Sequence, residues 1–196
     1  MPLRKHLRSE IRRRRNTLSA LEQRTAANQL KQQLAAHDKI RSANHIAIYL
    51  ANDGELDPSD FIAWCWQQGK KVYLPVIHPF SKGHLLFLNY TKNSIMVINQ
   101  YGILEPKLDV RSIRTIDDID VLCTPLVAFD KTGARLGMGG GFYDRTLETW
   151  YKNFKKNRQI PPYPIGIAHN CQRVDTIPSE HWDIPLPEII TPTKNY

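Results

Sequence analysis

Residues 129–145 read Phe-Asp-Lys-Thr-Gly-Ala-Arg-Leu-Gly-Met-Gly-Gly-Gly-Phe-Tyr-Asp-Arg, and four glycines, Gly137, Gly139, Gly140 and Gly141, fall within five positions. Glycine lets a backbone turn tightly and press its N–H groups against a ligand. Arg135 precedes the cluster and Arg145 follows it, and a helix starting after the glycines would aim its positive dipole end at the same place. The chemistry this pattern suits is phosphate binding, and the Asp144 carboxylate would hold a magnesium ion riding on the phosphates. The simpler alternative is a surface turn, but the charged and aromatic frame favours the cradle. The usual nucleotide patterns are missing. There is no Gly-x-x-x-x-Gly-Lys-Ser/Thr, and Phe142 stands where the third glycine of a dinucleotide fingerprint would fall.

The stretch 128–144 resembles the signature of the 5-formyltetrahydrofolate cyclo-ligase (methenyltetrahydrofolate synthetase) family, with Ala128 for its first glycine and Phe142 for its first tyrosine. Other elements resemble the family in the same order: Arg4-Lys5-His6-Leu7-Arg8; Ile48-Tyr49-Leu50 through Glu55; Tyr101-Gly102-Ile103-Leu104-Glu105-Pro106; and His181-Trp182-Asp183 with Ile189-Ile190-Thr191. Several elements in order over nearly the whole chain are far more specific than one glycine loop.

The resemblance implies an ATP- and Mg2+-dependent cyclisation of 5-formyltetrahydrofolate to 5,10-methenyltetrahydrofolate with release of ADP and phosphate, through a phosphorylated formyl group. It implies an ATP site made from Arg4, Lys5 and Arg8 together with Arg135, Leu136, Gly137, Met138, Gly139, Gly140, Gly141, Phe142 and Tyr143. Arg4 and Arg8 stand one helical turn apart and can face one ligand, whereas Lys5 points away from that face. Arg4, Arg8, Arg135 and Arg145 would stabilise the phosphoryl group in transfer. Glu55 would bind the pterin, because a carboxylate can accept two hydrogen bonds from the ring's amino group and neighbouring N–H. Leu50, Tyr101, Phe142 and Tyr143 would line the same pocket. Asp183 would be a second magnesium ligand beside Asp144. No Ser/His/Asp or Cys/His arrangement is suggested, so no covalent enzyme intermediate is expected.

Composition sets the frame. The 196 residues suit one domain over 1–196, with the basic N-terminal helices of 1–37 packed on an α/β core. No apolar run has the length of a membrane span, and the start lacks a signal-peptide core, so the expectation is a cytoplasmic monomer that acts on small molecules without a membrane. The three cysteines, Cys65, Cys123 and Cys171, show no metal or disulfide spacing. The net charge of +8 belongs entirely to residues 1–45, which carry 11 Lys and Arg against 3 Asp and Glu. The run Arg12-Arg13-Arg14-Arg15 therefore reads as a solvated helix face, as an attractor for a polyglutamylated folate tail, or as a nucleic-acid patch. A non-catalytic nucleic-acid-associated protein is the rival reading. Nucleic acid is not the expected partner, because no recognition motif accompanies the charge.

Helical spacing joins Leu3, Leu7 and Ile11, and Ser19-Ala20-Leu21-Glu22 is a capping box opening a second helix. A third helix is expected at 58–68 behind Asp57-Pro58, and a fourth at 141–153. Strands are expected at 45–50, 71–76, 85–88, 95–98, 121–127, 165–169 and 188–191, with 110–118 a connection and 155–164 a loop. The alternation predicts a three-layer α/β fold, an open and mainly parallel sheet with helices on both faces. Ligands lie at the carboxyl ends of strands in such sheets, so the turn at 52–55 and the loop at 128–141 are expected to share a cleft.

Overall fold

A computed structural model describes residues 2–196; Met1, the first residue of the basic segment, lies outside the described residues. The helices are α1 (Pro2–Asn16), α2 (Ala20–Ala36), α3 (Asp38–Ser42), α4 (Ser59–Gln67), α5 (Phe142–Thr146) and α6 (Glu148–Phe154). The strands are β1 (His45–Ala47), β2 (Lys71–Ile77), β3 (Leu85–Tyr90), β4 (Met96–Ile98), β5 (Leu104–Pro106), β6 (Ile113–Arg114), β7 (Val121–Pro125), β8 (Ala128–Phe129), β9 (Arg135–Leu136), β10 (Tyr163–Ile167) and β11 (Ile189–Ile190). Seven strands form the central sheet in the order β11-β10-β7-β1-β2-β3-β6. The ladders from β11 to β2 are parallel, and β3 and β6 add antiparallel edges.

Strand alternation divides the core into two layers. Ile46, Val72, Leu74, Val121 and Cys123 point to one face, against Leu30 and Leu34 of α2, Ile40 of α3 and Phe61 and Cys65 of α4. Ala47, Tyr73 and Leu122 point to the other, against Leu147 and Trp150 at the α5–α6 corner. The three-layer α/β expectation therefore holds. A local rule holds as well. Ser19 and Glu22 close a complete capping box at α2; at α4 the N-cap is Pro58 rather than Asp57, whose carboxylate, one residue ahead of the cap, accepts from the Ser59 amide.

Four further local expectations need correction. The helix expected at 141–153 is two short ones, broken where Leu147 leaves helical geometry (φ −92°, ψ 2°) to bury itself in the second core layer. The stretch 110–118 is more than a connection, because it contributes β6 to the sheet edge. The strand at 95–98 joins no main sheet and pairs with β5 in a separate hairpin. The loop expected at 155–164 ends early, since β10 begins at Tyr163.

The β8–β9 hairpin leads into the glycine loop. Asp130 fixes its turn by accepting from the Thr132 amide and hydroxyl, and its other oxygen accepts from the Ile177 amide. Gly133 closes the turn at φ +82°, and its carbonyl accepts from the Leu186 amide at 2.9 Å. A Cβ at this position would collide with the Leu186 carbonyl oxygen. Gly133→Ala is therefore expected to cost at least about 2 kcal/mol, from left-handed backbone strain plus displacement of the 184–186 segment. Urea denaturation measures it, and a cost within 0.5 kcal/mol, the about-zero range of an ordinary surface change, would contradict the packing described.

Candidate active site

One cavity of about 1340 Å³ lies at the carboxyl ends of β1 and β7 and takes in both the 52–55 turn and the glycine loop. Its volume exceeds the roughly 300–1,000 Å³ typical of a single small-molecule pocket. Helix α1 runs along it. Arg4, Arg8, Arg12 and Arg15 recur at helical spacing on its cavity side, and Ile11 seats the helix in a small core with Val127, Leu136 and Ile177. Basic residues in its last turn suit the negative end of the helix dipole.

At the N-terminal end of α1, Arg4 makes a two-point contact with both Asp183 oxygens, at 2.7 and 3.0 Å. Arg8 donates through Nε to the Gly137 carbonyl at 2.7 Å. Its terminal nitrogens have no carboxylate partner among the described residues, and the guanidinium lies beside Gly139. The glycine loop itself is held from both sides. Arg145 donates to the Gly83 carbonyl at 2.7 Å and also to the Gly140 carbonyl. The Phe142 ring lies against Gly140, where any side chain would displace it. Arg135, almost wholly buried, donates to Asp144 Oδ1 at 2.9 Å, so the buried cation is paired.

At the C-terminal end of α1 lies a second anchorage. Arg15 exposes none of its surface. It donates to the Asp53 carbonyl at 2.7 Å and to Asp53 Oδ2 at 2.8 Å, and Arg12 binds that same oxygen at 2.6 Å. The turn they grip holds two successive left-handed residues, Asp53 at φ +50° and Gly54 at φ +71°. This turn aims Glu55 inward. The Glu55 carboxylate accepts from the Asn52 amide at 3.1 Å and lies 3.9 Å from Arg15 Nη2. Burial pushes its pKa up to about 7, against the opposing pull of Arg15 and the Asn52 amide. Leu50 and Tyr143 line the cavity here, and the Tyr101 ring meets Phe142 edge-on at 6.3 Å.

The structure thus brings to one cavity Arg4, Arg8, Leu50, Glu55, Tyr101, Arg135, the loop Gly137-Met138-Gly139-Gly140-Gly141, Phe142, Tyr143, Asp144, Arg145 and Asp183. Two predicted residues stand apart. Lys5 is exposed and outside the lining, as its helical position dictates, and Leu136 is core beneath the loop. The solvated reading of residues 12–15 needs correction too. Arg13, 67% exposed, and Arg14 pair with Glu10 on the surface, but Arg12 and Arg15 are tied to the cavity turn. The heptad step from Arg8 to Arg15 was the signal for this, hidden inside a run of four arginines. Glu105, whose carboxylate accepts from the Ile77 amide and from Asn99, also lines the cavity and carried no signal beyond its motif.

Among the described residues no three His, Cys, Asp or Glu side chains cluster to hold a metal unaided. Magnesium in phosphoryl chemistry needs only one or two carboxylates, the phosphates supplying the rest. Asp144 fits that demand: its Oδ1 takes Arg135 and the Ile184 amide, while Oδ2 has no hydrogen-bond partner among the described residues. Asp183 does not fit, because Arg4 occupies both of its oxygens and the Glu180 amide adds a third bond.

Fold and site together define an α/β enzyme with its cleft at the carboxyl ends of parallel strands. Residues 1–192 match the 5-formyltetrahydrofolate cyclo-ligase family. A 5-formyltetrahydrofolate cyclo-ligase of Escherichia coli (strain K12) is 49% identical over 184 residues, which cover 94% of this chain and 97% of that one. The cyclo-ligase of Haemophilus influenzae is 47% identical over 187 residues, 95% of this chain and 96% of that one. In structure, the chain is similar to a 5,10-methenyltetrahydrofolate synthetase of Mycoplasma pneumoniae (TM-score 0.71, 25% identity, 96% of this chain and 98% of that one). The fold is shared with the Aquifex aeolicus synthetase (TM-score 0.81, 24% identity, 98% of this chain and 91% of that one). The chain belongs to the 5-formyltetrahydrofolate cyclo-ligase family and is a ligase.

The raised Glu55 pKa carries a sign that can be measured. Between its unfolded value of 4.5 and about 7 the folded chain binds the extra proton, so stability falls as pH rises through that window. Glu55→Gln removes the penalty. The variant is expected to be more stable than the wild type at pH 8, by up to about 3 kcal/mol, and equal to it near pH 4. Urea titrations at the two pH values check this, and a variant less stable at pH 8 would show Glu55 to be a favourable charge in the folded chain.

Proposed function

We propose that the chain catalyses the ATP- and Mg2+-dependent cyclisation of 5-formyltetrahydrofolate to 5,10-methenyltetrahydrofolate, releasing ADP and phosphate. The observation that carries this reading is one cavity with two unlike ends: a glycine loop with an arginine that has no carboxylate partner among the described residues, and a desolvated carboxylate among aromatic walls. The names of the relatives favour the same substrate.

A formyl amide is a weak electrophile, and its oxygen is a poor leaving group. Transfer of the γ-phosphoryl group to the formyl oxygen, with ADP leaving, addresses both. Nitrogen 10 then attacks the activated carbon and loses its proton, and the C–O bond breaks to release phosphate. Catalysis of this kind rests on positioning and charge stabilisation. Arg8 and the glycine amides receive the triphosphate, and Arg145 and Phe142 keep the loop in shape. Arg135 orients Asp144, and Arg4 is held by Asp183 at the loop's flank. A magnesium ion on Asp144 Oδ2 would neutralise charge on the triphosphate. Glu55 accepts hydrogen bonds from the pterin edge, with Leu50, Tyr101, Phe142 and Tyr143 around the ring. A polyglutamate tail would leave past Lys152 of α6 and Lys155 at its C-terminal end, which line the cavity. The rival nucleic-acid reading is weakened at residues 12–15, where Glu10 and Asp53 engage the arginines.

The direct test is absorbance of methenyltetrahydrofolate on mixing the chain with ATP, magnesium and 5-formyltetrahydrofolate; no product, with ATP bound, would remove the reading. Two variants test the assignments. Arg8→Ala should weaken ATP use about ten- to hundredfold, the worth of one charged hydrogen bond to phosphate, while Arg13→Ala leaves the KM for ATP in place; equal effects would leave only total charge at work. Asp144→Asn should slow turnover, with partial rescue by added magnesium. Its Tm should also fall, because buried Arg135 loses its anionic partner. An unchanged rate and magnesium dependence would take Asp144 out of the site.

A further inference from the structure

We propose that Arg15 is a positioning residue for folate recognition: from a fully buried site at the pocket wall it clamps the 52–55 turn and supplies the positive charge that keeps Glu55 an acceptor. The inference rests on reading Glu55 as the carboxylate that meets the pterin.

Three observations carry it. First, Arg15 borders the cavity yet exposes no surface, because the 52–55 turn covers its guanidinium. Its hydrogen bonds go to the Asp53 carbonyl at 2.7 Å, the Asp53 carboxylate at 2.8 Å and the Leu126 carbonyl at 3.4 Å, which join the turn to the end of β7. Second, Glu55 stands two residues after Asp53, 3.9 Å from the same guanidinium. A buried cation with two carboxylates in reach stabilises both, and it is nearer to Asp53 than to Glu55. Third, the turn is left-handed at two successive residues, and a side chain at Gly54 would meet the Asn16 side chain of α1. Such a backbone persists only when its surroundings hold it. Arg12 and Asn16 bind only the Asp53 side chain, whereas Arg15 holds its backbone carbonyl as well.

The recognition at stake needs an ionised carboxylate. A protonated one would present an O–H to the amino and N–H donors of a pterin, and one of two hydrogen bonds would become a clash of donors. With a pKa of about 7, Glu55 is balanced between the two forms near neutrality. The charged and titratable groups around it are few. Arg15 favours its anion, and Asp53 disfavours it while itself held by Arg12 and Arg15. Tyr49 and Tyr143 face it with phenols that burial keeps protonated, and Cys123 lies behind them, also protonated. His169, next to the 54–55 backbone, is pushed down to about 4 by burial and by Arg15, so it stays neutral across this range.

The experiment is the pH profile of kcat/KM for 5-formyltetrahydrofolate at saturating ATP and magnesium, for the wild type, Arg15→Met, Arg15→Lys and Asp53→Asn. Removing the charge in Arg15→Met should move the acid limb up by about 1 unit and lower kcat/KM about tenfold at pH 6, with the KM for ATP unchanged. Arg15→Lys keeps the charge without the fork; its limb should stay while the folate KM rises at all pH values. Asp53→Asn removes the competing carboxylate, and its limb should move down; this variant keeps the test decisive if Arg15→Met does not fold. In a Glu55→Gln background Arg15→Met should shift nothing further. Titration of the Glu55 carboxyl by 13C NMR separates the two ways to fail. A carboxyl that titrates alike with and without Arg15 overturns the role of Arg15. A carboxyl that shifts while the kinetic limb stays put overturns the reading of Glu55 on which the inference rests. An equal loss for ATP and folate, or a limb shift that survives in Glu55→Gln, would also overturn it.

Discussion

Arg15 donating to the Asp53 carbonyl and carboxylate is the contact that ties α1 to the turn carrying Glu55. A guanidinium with no exposed surface is costly to bury unless its charge is matched and its N–H groups are used. Here the match comes from a turn that is itself strained, so each partner holds the other in place. Arg15 shares its helix with Arg4 and Arg8, but those two are anchored separately, Arg4 by Asp183 and Arg8 by the Gly137 carbonyl. The helix spans both ends of the cavity. Its first turns reach Asp183 and the glycine loop, and its last turn reaches the turn that carries Glu55.

The two ends have opposite electrostatic character. At the glycine loop, carbonyls and carboxylates absorb most of the arginine hydrogen bonds, and Arg8 keeps uncommitted N–H groups for an anion. At the other end, burial dominates, and the Glu55 anion is destabilised despite a nearby arginine. Desolvation that raises a carboxylate's pKa also strengthens every hydrogen bond it makes once its partner arrives. A site that binds a triphosphate and a flat, donor-bearing ring together needs such a division, with excess positive charge at one end and a scarce, dry acceptor at the other.

Much of this was legible in the residues themselves. The glycine cluster with its flanking charges marked the loop that lines one end of the cavity, and the alternation of apolar strands and helices announced the parallel sheet. Short-range rules worked where one local interaction decides the outcome, as with the Ser19–Glu22 capping box. They failed where tertiary packing decides. Leu147 breaks a helical pattern because the core accepts its side chain. The edge strand β6 has only two residues, too few for any period to show. The partners of the arginines were hidden for a similar reason. Asp183 looks like a metal ligand and is an ion-pair partner, and Arg15 looks like one more solvated charge and is buried. Charge type can be read along a chain, but pairing depends on residues more than a hundred positions away, as Arg4 and Asp183 are.

The central claim is that α1 organises two distinct binding ends of one cavity. A crystal structure with a non-hydrolysable ATP analogue and 5-formyltetrahydrofolate bound together tests it most directly. The account predicts phosphates on the amides of 137–141 within reach of Arg8, the pterin edge on Glu55, and Arg15 still buried on Asp53 with both ligands present. Phosphates at the Glu55 end, a pterin seated away from Glu55, or an α1 displaced so that Arg15 meets solvent would contradict it.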